Sequence, residues 1–580
     1  MDLDYSKFTQ AALIDYSLLL SLLIFGFYLS GPSSVLVLSA SFFHFFIAGR
    51  PRASFFMAYL GLISAILAFR NNGFEKIDIL LATGLRVFLV FASISAEVLD
   101  NYLCPLRGSI PKPSGQYDTA LLVIGTGDFM IRLYYPTLRM SDEERKKVAK
   151  RRGVVPPAKI PYIIEGRNAT SGLAAVAKLP TDLFISFLLE TKPWCLEGAP
   201  DVTPCVEPIQ GTDGRRVIVY SHGLGGVPDV YATLISNLVS EGYVVAAIEH
   251  SDGTAAFTRL DSGKVKHFLN LSGDDLKNWY KIRRPQLNHR VSECMIAADI
   301  LYDIASNGFE SDSNETVDLQ VARLILHGNI SPTEKLIGMG HSFGGGTILS
   351  TIQRDLRFGQ AVTFDPWCAP MSAVTLSRGC GKVPTLNIMS EMWWMMKNKI
   401  VPMEILFSPI KRREFLKSKS IANNLPSVDE PLEKYKGKGA KEGSGSIPKK
   451  SSKATKSAST TSTTEEDDDG EDGLNIFGSN GVNEKDGSVS ENFFVRDASV
   501  CPQSAVIALK GTKHHFINDF VILGTAGLKF LGGVGLTPPL NAMKGAIYLT
   551  LEFLSRPHTV PYEIPENAKQ AVLTFSLKND

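Results

Sequence analysis

The stretch that most constrains the fold is LIGMGHSFGGGTILS, residues 336–350. It sets a serine between glycines, after a short apolar run and before a run of helix-forming residues. The GxSxG spacing of GHSFG (340–344) suits a sharp turn from a strand into a helix, where neighbouring residues pass too close to the serine to carry side chains. A glycine-rich turn without chemistry is the alternative. The strand–turn–helix context favours Ser342 as a nucleophile.

Strands and helices alternate around this turn. Short apolar runs predict strands at 217–223, 244–250, 335–340, 361–365, 385–391 and 504–511. Amphipathic runs predict helices at 230–243, 291–306 and 345–356. Such alternation is typical of a mostly parallel sheet with right-handed crossovers.

Four apolar runs precede this part, at residues 11–30, 33–49, 53–69 and 77–99. Each is near the length that crosses a bilayer, and four in succession favour membrane insertion over a buried helical core. Arg86 makes the fourth run the weakest, because a charge in lipid is costly unless it is paired or faces other helices.

The number of spans decides on which side of the membrane the rest of the chain lies. Arg50 and Arg52 favour a cytosolic second loop. Four spans then place everything after residue 100 in the cytosol, whereas three place it in the lumen. We expect an integral membrane protein with its catalytic domain on the cytosolic face, in a membrane that the sequence does not identify.

Composition changes along the chain and predicts its organisation. Residues 1–100 form the membrane region, 101–417 the first part of a globular domain, and 493–580 its final part with C-terminal helices. Between them, 418–492 is low-complexity, basic first and acidic after, and it has too few apolar residues to fold. We expect a disordered insertion there.

Charge and cysteine content exclude several classes of function. The 580 residues include 44% hydrophobic and 21% charged side chains, which predicts at least one large core. The net charge of +1 gives no field suited to nucleic acid. The seven cysteines include no CxxC pair, so no zinc ribbon is indicated. We expect no metal and no cofactor; the oligomeric state stays open.

A serine needs a base to remove its proton, and the base needs an acid to fix its tautomer. In α/β-hydrolases these groups follow in the order serine, acid, histidine. Asp365 ends the strand after Ser342, and His514 follows the last predicted strand. Asp365 could instead begin a turn with Pro366, and His515 is placed as well as His514.

The oxyanion formed in acyl transfer needs two N–H donors. The backbone amide of Phe343, directly after the serine, is one candidate. The other should come from an early strand–helix loop, and HGLGG (222–226) lies in such a position. Within it, the amide of Leu224 is best placed.

The stretch LAAVAKLPTDLFISFLLE (173–190) is apolar and carries few charges. It predicts either an ordinary core helix or an interfacial helix beside the substrate entrance. Helical spacing of leucine and phenylalanine does not separate the two.

Several motifs together resemble the plasma and intracellular type II platelet-activating factor acetylhydrolase family. They are FMIRLYYP (129–136), YSHGLGGVPDVYATLISNLVSEGYVVAAIEH (220–250), MGHSFGGGTILS (339–350), the strand into FDPW (364–367) and GTKHHFINDF (511–520). The resemblance covers residues 118–410 and 495–535. It implies an α/β-hydrolase fold and calcium-independent cleavage of short or oxidised sn-2 acyl chains from phospholipids.

The resemblance also implies roles for the candidate residues. Ser342, Asp365 and His514 would be nucleophile, acid and base, with the amides of Leu224 and Phe343 as the oxyanion hole. The apolar N-terminal runs and the long insertion depart from the family pattern and leave localisation and substrate open. A broader membrane-anchored carboxylesterase or lipase, and a membrane scaffold with an inactive hydrolase domain, are the alternatives.

Removal of residues 1–100 tests the role of the apolar runs. We expect a soluble hydrolase that still cleaves short water-soluble esters but works poorly on phospholipid packed in vesicles, because the anchor no longer holds it at the surface. Turnover of both substrates by the truncated and full-length chains is the measurement. If the truncated chain hydrolyses vesicle phospholipid as fast as the full chain does, the anchor determines only the localisation of the enzyme.

Overall fold

The computed structural model describes residues 108–152, 156–189, 191–197, 217–260, 262–306, 317–327, 335–380, 383–407, 411–412, 414–415, 504–524, 534–535 and 537–555. All of them belong to one of the two units into which the chain divides, Met1–Phe415 with Ser490–Asp580; the other unit is Leu416–Val489. The four apolar runs and the predicted insertion lie outside the described residues. Within the described ranges, no helix has the length and apolar character needed to cross a membrane.

One ten-stranded sheet organises the described residues. The strands are β1 Tyr117–Gly125, β2 Met130–Leu138, β3 Lys159–Ile160, β4 Cys195–Glu197, β5 Val217–Ser221, β6 Val244–Glu249, β7 Phe257–Arg259, β8 Val265–His267, β9 Leu336–His341, β10 Phe358–Phe364, β11 Thr385–Ser390 and β12 Ala505–Leu509. The sheet order is β12-β11-β10-β9-β5-β6-β2-β1-β4-β3, and β7 pairs with β8 apart from it. The run from β12 to β6 is parallel throughout, whereas β2 pairs antiparallel with both β1 and β6.

The helices lie mostly in the connections between these strands. They are α1 Asp142–Arg152, α2 Arg167–Val176, α3 Ala232–Ser240, α4 Asp274–Lys277, α5 Trp279–Ser306, α6 Val317–His327, α7 Phe343–Thr351, α8 Ala373–Arg378, α9 Glu391–Met395, α10 Lys397–Phe407, α11 Phe520–Leu523 and α12 Pro539–Ser555, with 3-10 helices at Asp182–Leu188 and Pro228–Tyr231. This mostly parallel sheet with its helices agrees with the predicted α/β-hydrolase fold.

Both faces of the central strands are covered. On one face, α3 and α12 pack over alternate apolar residues of β5, β9, β10 and β11, among them Ile218, Ile337, Val362 and Leu386. On the other, Ile348 of α7 lies against Gly338, the residue of β9 that alternates with Ile337. Because successive side chains of a strand point to opposite faces, this alternation buries the sheet between two layers of helices.

The segment 173–190 is not one helix, so the prediction of a single helix there is wrong. Helix α2 ends at Val176, and Lys178 adopts a left-handed backbone with φ 54. Pro180 follows, and a proline interrupts helical hydrogen bonding. The 3-10 helix that comes next buries Ile185 and Leu188 in the core, which favours the core reading for that part.

A buried ion cluster joins β2 to its surroundings. Nη1 of Arg132 lies 2.7 Å from Oδ2 of Asp229, and its Nε contacts Glu249 of β6. All three residues are buried. The two carboxylates come from different elements, and the guanidinium lies between them. Its positive charge offsets the free energy that it costs to bury these carboxylates away from water.

We expect Arg132→Met to lower the free energy of unfolding by about 3–5 kcal/mol, because it leaves two buried carboxylates without a cation. Urea denaturation measures the loss. Arg139→Met is the matched control: Arg139 follows β2, pairs with Asp118 at 3.2 Å and has a side chain 33% exposed. That pair should contribute no more than about 1 kcal/mol. Equal losses in the two variants would contradict the prediction.

Candidate active site

The backbone turns sharply at Ser342, between the end of β9 and the start of α7. Ser342 has φ 55 and ψ −117, a conformation that side-chain-bearing residues rarely adopt. Such a residue costs about 1–3 kcal/mol and persists only where its surroundings hold it. The N–H of Ser342 donates to the carbonyl of Phe364 at 2.9 Å, which ties the turn to the neighbouring strand β10.

Glycines flank the turn because there is no space for side chains. A Cβ on Gly344 would overlap the carbonyl group of Ser221 at the end of β5, and one on Gly340 would overlap the carbonyl group of Gly344. Both positions lie inside the GxSxG stretch. The spacing predicted from sequence is therefore a packing requirement of this turn.

The three residues expected to form a triad lie in hydrogen-bonded series. Nε2 of His514 is 2.9 Å from Oγ of Ser342, and Nδ1 of His514 is 3.1 Å from Oδ2 of Asp365. His515, the alternative base in the sequence, is exposed and lies beside Asn518, with its Nδ1 3.3 Å from that amide. The structure thus brings His514, and not His515, between the serine and the acid.

Burial shifts the pKa values of the imidazole and of the acid in opposite directions. Burial lowers the pKa of His514 well below its usual value, so its imidazole is neutral at pH 7 and able to accept a proton. Burial raises the pKa of Asp365. Ser390 opposes that rise, because its N–H and its hydroxyl each donate to the carboxylate at 2.6 Å. Sequence reasoning missed Ser390, although its position at the end of β11, beside β10, was a usable signal.

An aromatic ring also holds the imidazole, and it was not predicted. Trp393 stacks on His514 with ring centroids 3.9 Å apart and an interplanar angle of 6°. Its Nε1–H donates to the carbonyl of Pro366 at 3.2 Å, which fixes the indole. Nζ of Lys399 lies 4.4 Å from the ring centroid of Trp393 and 4.9 Å from that of Trp367. No spacing in the sequence predicts these contacts of Trp393 and Lys399.

The loop after β5 orients the peptide that carries the N–H of Leu224. The carbonyl of Gly223 accepts a hydrogen bond from the N–H of Gly226 at 3.1 Å. It also lies 2.8 Å from Nδ1 of His222. Because a carbonyl can only accept, this Nδ1 carries the proton of the ring. In a trans peptide the N–H points opposite to the carbonyl. The N–H of Leu224 thus points away from the hydrogen-bonded carbonyl of Gly223. The next N–H, that of Gly225, donates to the carbonyl of Thr254.

Neither of the two expected oxyanion donors is engaged. The backbone N–H groups of Leu224 and Phe343 have no hydrogen-bond acceptor in the part of the chain that the structure describes. Phe343 opens α7, where the first N–H groups of a helix have no partner within it. Two unused donors near a serine hydroxyl could stabilise an oxyanion.

His341, inside GHSFG, links the loop after β5 to the base. Its Nε2 lies 3.0 Å from the carbonyl of His514, so this nitrogen carries the proton. Its Nδ1 then accepts from the hydroxyl of Tyr231 at 2.8 Å, and that hydroxyl accepts from the N–H of Gly223 at 3.1 Å. The position of His341 inside GHSFG does not by itself indicate these contacts.

A second serine–histidine–acid series lies in the core. His250 has Nε2 2.7 Å from Oγ of Ser221 and Nδ1 2.6 Å from Oε2 of Glu293. All three residues are buried, which excludes substrate and leaves a role in holding β5, β6 and α5 together. Among the described ranges, no three histidine, cysteine or carboxylate side chains converge as metal ligands.

We expect His514→Ala to lower kcat by about 10²- to 10⁴-fold, because it removes the proton acceptor beside Ser342. His515→Ala should leave kcat close to that of the unchanged chain. Steady-state hydrolysis of a soluble ester measures both. The opposite ranking would show that the base is His515.

Comparisons with known proteins identify the family of this chain. The family model described as "Platelet-activating factor acetylhydrolase, isoform II" matches residues 201–569. The platelet-activating factor acetylhydrolase of Canis lupus familiaris is 30% identical over 223 residues, 36% of this chain and 47% of that protein. The one of Cavia porcellus is 29% identical over 229 residues, 38% of this chain and 50% of that protein. The chain thus spans about half the length of these curated relatives.

One solved structure, a ferulic acid esterase from Streptomyces cinnamoneus, aligns with 77% of this chain and 92% of that chain, at 14% identity and a TM-score of 0.40. At that score the likeness carries no inference. The family match is different in kind, because it extends over more than half of the chain and includes the serine turn, the acid and the histidine. The family predicted from the sequence motifs is confirmed: this chain belongs to the platelet-activating factor acetylhydrolase, isoform II, family.

Proposed function

We propose that this chain is a serine hydrolase that cleaves the acetyl or a short or oxidised sn-2 acyl ester of platelet-activating factor-like phospholipids, without calcium. The observation that carries the proposal is the hydrogen-bonded series of Asp365, His514 and Ser342 beside two unused backbone N–H groups. Membership of the family supports the choice of a lipid ester as substrate.

In the first half-reaction, Oγ of Ser342 attacks the ester carbonyl while Nε2 of His514 takes the serine proton. The carbonyl oxygen becomes an oxyanion, which accepts from the N–H groups of Leu224 and Phe343. Asp365 holds the Nδ1–H of the imidazole and stabilises the imidazolium. As the tetrahedral intermediate collapses, His514 gives its proton to the leaving alkoxide, so a lysophospholipid departs and the acyl group stays on Ser342.

In the second half-reaction, His514 takes a proton from water, and the resulting hydroxide attacks the acyl-enzyme carbonyl. The same two N–H groups receive the second oxyanion. Collapse returns the proton to Ser342 and releases the carboxylic acid. The neutral state of His514 suits both halves, because only an unprotonated Nε2 can act as the base.

We also propose that the apolar runs between residues 11 and 99 hold this hydrolase at a bilayer, with its catalytic part on the cytosolic face. The support is the length and number of the runs in the sequence. A substrate that resides in a bilayer gives such an anchor a purpose, because the enzyme then meets its lipid without diffusing to the surface.

We expect the full chain, with calcium chelated, to release acetate from a 2-acetyl phosphatidylcholine much faster than it releases palmitate from the matched 2-palmitoyl lipid. Release of the two acids is the measurement. Comparable rates would favour the broader carboxylesterase or lipase.

Ser342→Ala is the matched control, since it removes the atom that carries the acyl group. It should abolish both hydrolysis and covalent labelling by a fluorophosphonate probe. If the unchanged chain is itself unlabelled and inactive, the membrane scaffold with an inactive hydrolase domain becomes the better description.

A further inference from the structure

Arg290 of α5 is a fully buried arginine that contacts residues next to both donors of the proposed oxyanion hole. Its Nη1 donates to the carbonyl of His222 at 2.5 Å. Its Nε donates to the hydroxyl of Thr254 at 2.7 Å. Asp252 supplies the counter-charge, with its Oδ2 3.4 Å from Nε.

These contacts bracket the peptide of Leu224. On its N-terminal side, Arg290 holds the carbonyl of His222. On its C-terminal side, the N–H of Gly225 donates at 2.7 Å to the carbonyl of Thr254, the residue whose hydroxyl Arg290 also binds. One guanidinium therefore fixes both ends of the loop that presents the N–H of Leu224.

The same guanidinium also contacts the side chain of Phe343, the residue that carries the other donor. Its Cζ lies 5.0 Å from the ring centroid of Phe343, within the range of a cation–π contact. Phe343 has no exposed surface, so its ring cannot move without repacking. The ring and the backbone N–H belong to one residue, and holding the ring limits movement of the first turn of α7.

We propose that Arg290 is a positioning residue that sets the distance and direction between the two oxyanion donors, Leu224 and Phe343. The inference rests on the proposed function, since it gives those donors their role. Arginine suits the task because its planar fork donates in several fixed directions while its face packs on an aromatic ring. Lysine has one point charge and cannot make this set of contacts.

Arg283 provides a matched control in the same helix. It is also buried, at 4% exposure, and its Cζ lies 5.3 Å from the ring centroid of Phe268. Its Nη2 donates to the carbonyl of Leu269 at 3.2 Å. These two partners lie in the segment before α4. Its Nη1 also donates at 2.7 Å to Oε1 of Gln286, whose amide donates at 2.9 Å to the carbonyl of Asp252, and none of these contacts is with Leu224 or Phe343. A purely structural role for buried arginines of α5 would make the two positions behave alike.

The test compares Arg290→Met, Arg290→Lys and Arg283→Met in the full chain. Values of kcat and KM are measured with p-nitrophenyl acetate, and binding is measured with a trifluoromethyl ketone, whose adduct with Ser342 carries an oxyanion. Urea denaturation reports stability for each variant.

We expect Arg290→Met to lower kcat by about 10²-fold, the loss typical of a removed oxyanion donor, with KM nearly unchanged. Affinity for the ketone should fall by the same factor as kcat/KM, because both depend on stabilising the oxyanion. Arg283→Met should keep kcat and ketone affinity even where its stability falls. Arg290→Lys, which keeps the charge and favours folding, should show the same pattern as Arg290→Met.

Equal losses of kcat at positions 290 and 283, or unchanged kcat in a folded Arg290→Lys, would overturn the proposal. If Arg290→Met does not fold, Arg290→Lys decides alone. An unchanged chain that is inactive and unlabelled by fluorophosphonate would instead overturn the proposed function, so the two failures are distinct.

Discussion

The left-handed backbone of Ser342 is the constraint on which the rest of the site depends. The pairing of β9 with β10 supplies what holds it, because the N–H of Ser342 bonds the carbonyl of Phe364 and the N–H of Trp367 bonds the carbonyl of Ser342. Asp365, directly after β10, also has a positive φ, of 43. The strand pairing that orients the nucleophile thus also brings the acid, a second residue with a strained backbone, beside it.

The parts of the site are joined by polar contacts in the core as well as by the sheet. His341 connects the loop after β5 to the carbonyl of His514 through Tyr231. Each nitrogen of that buried ring has one partner, and burial lowers its pKa well below the usual value, so it stays neutral and its tautomer is fixed. Hydrogen bonds through Tyr231 and His341 therefore join the loop after β5 to the base.

Much of this arrangement follows from local sequence, because each candidate group sits at the carboxyl end of a strand and strands are visible as apolar runs. Helix α5 was underestimated: it begins at Trp279, before a basic stretch and Pro285 that hide its pattern. Trp393 and Arg290 could not be predicted, since they act through packing between residues distant in the chain. Whether His514 or His515 faces the serine depends on how the chain turns after β12. Two adjacent histidines give no sequence signal that distinguishes them.

The strand that brings His514 is the last in the sheet and lies at its edge. Its partner β11 ends at Ser390, whereas β12 begins at Ala505, so more than a hundred residues are synthesised between them. A ribosome that has completed β11 has made the serine and the acid but no base. The nascent chain thus has no complete Ser342–His514–Asp365 series until the sheet receives its final strand, so the proposed chemistry has to wait until most of the domain has been synthesised.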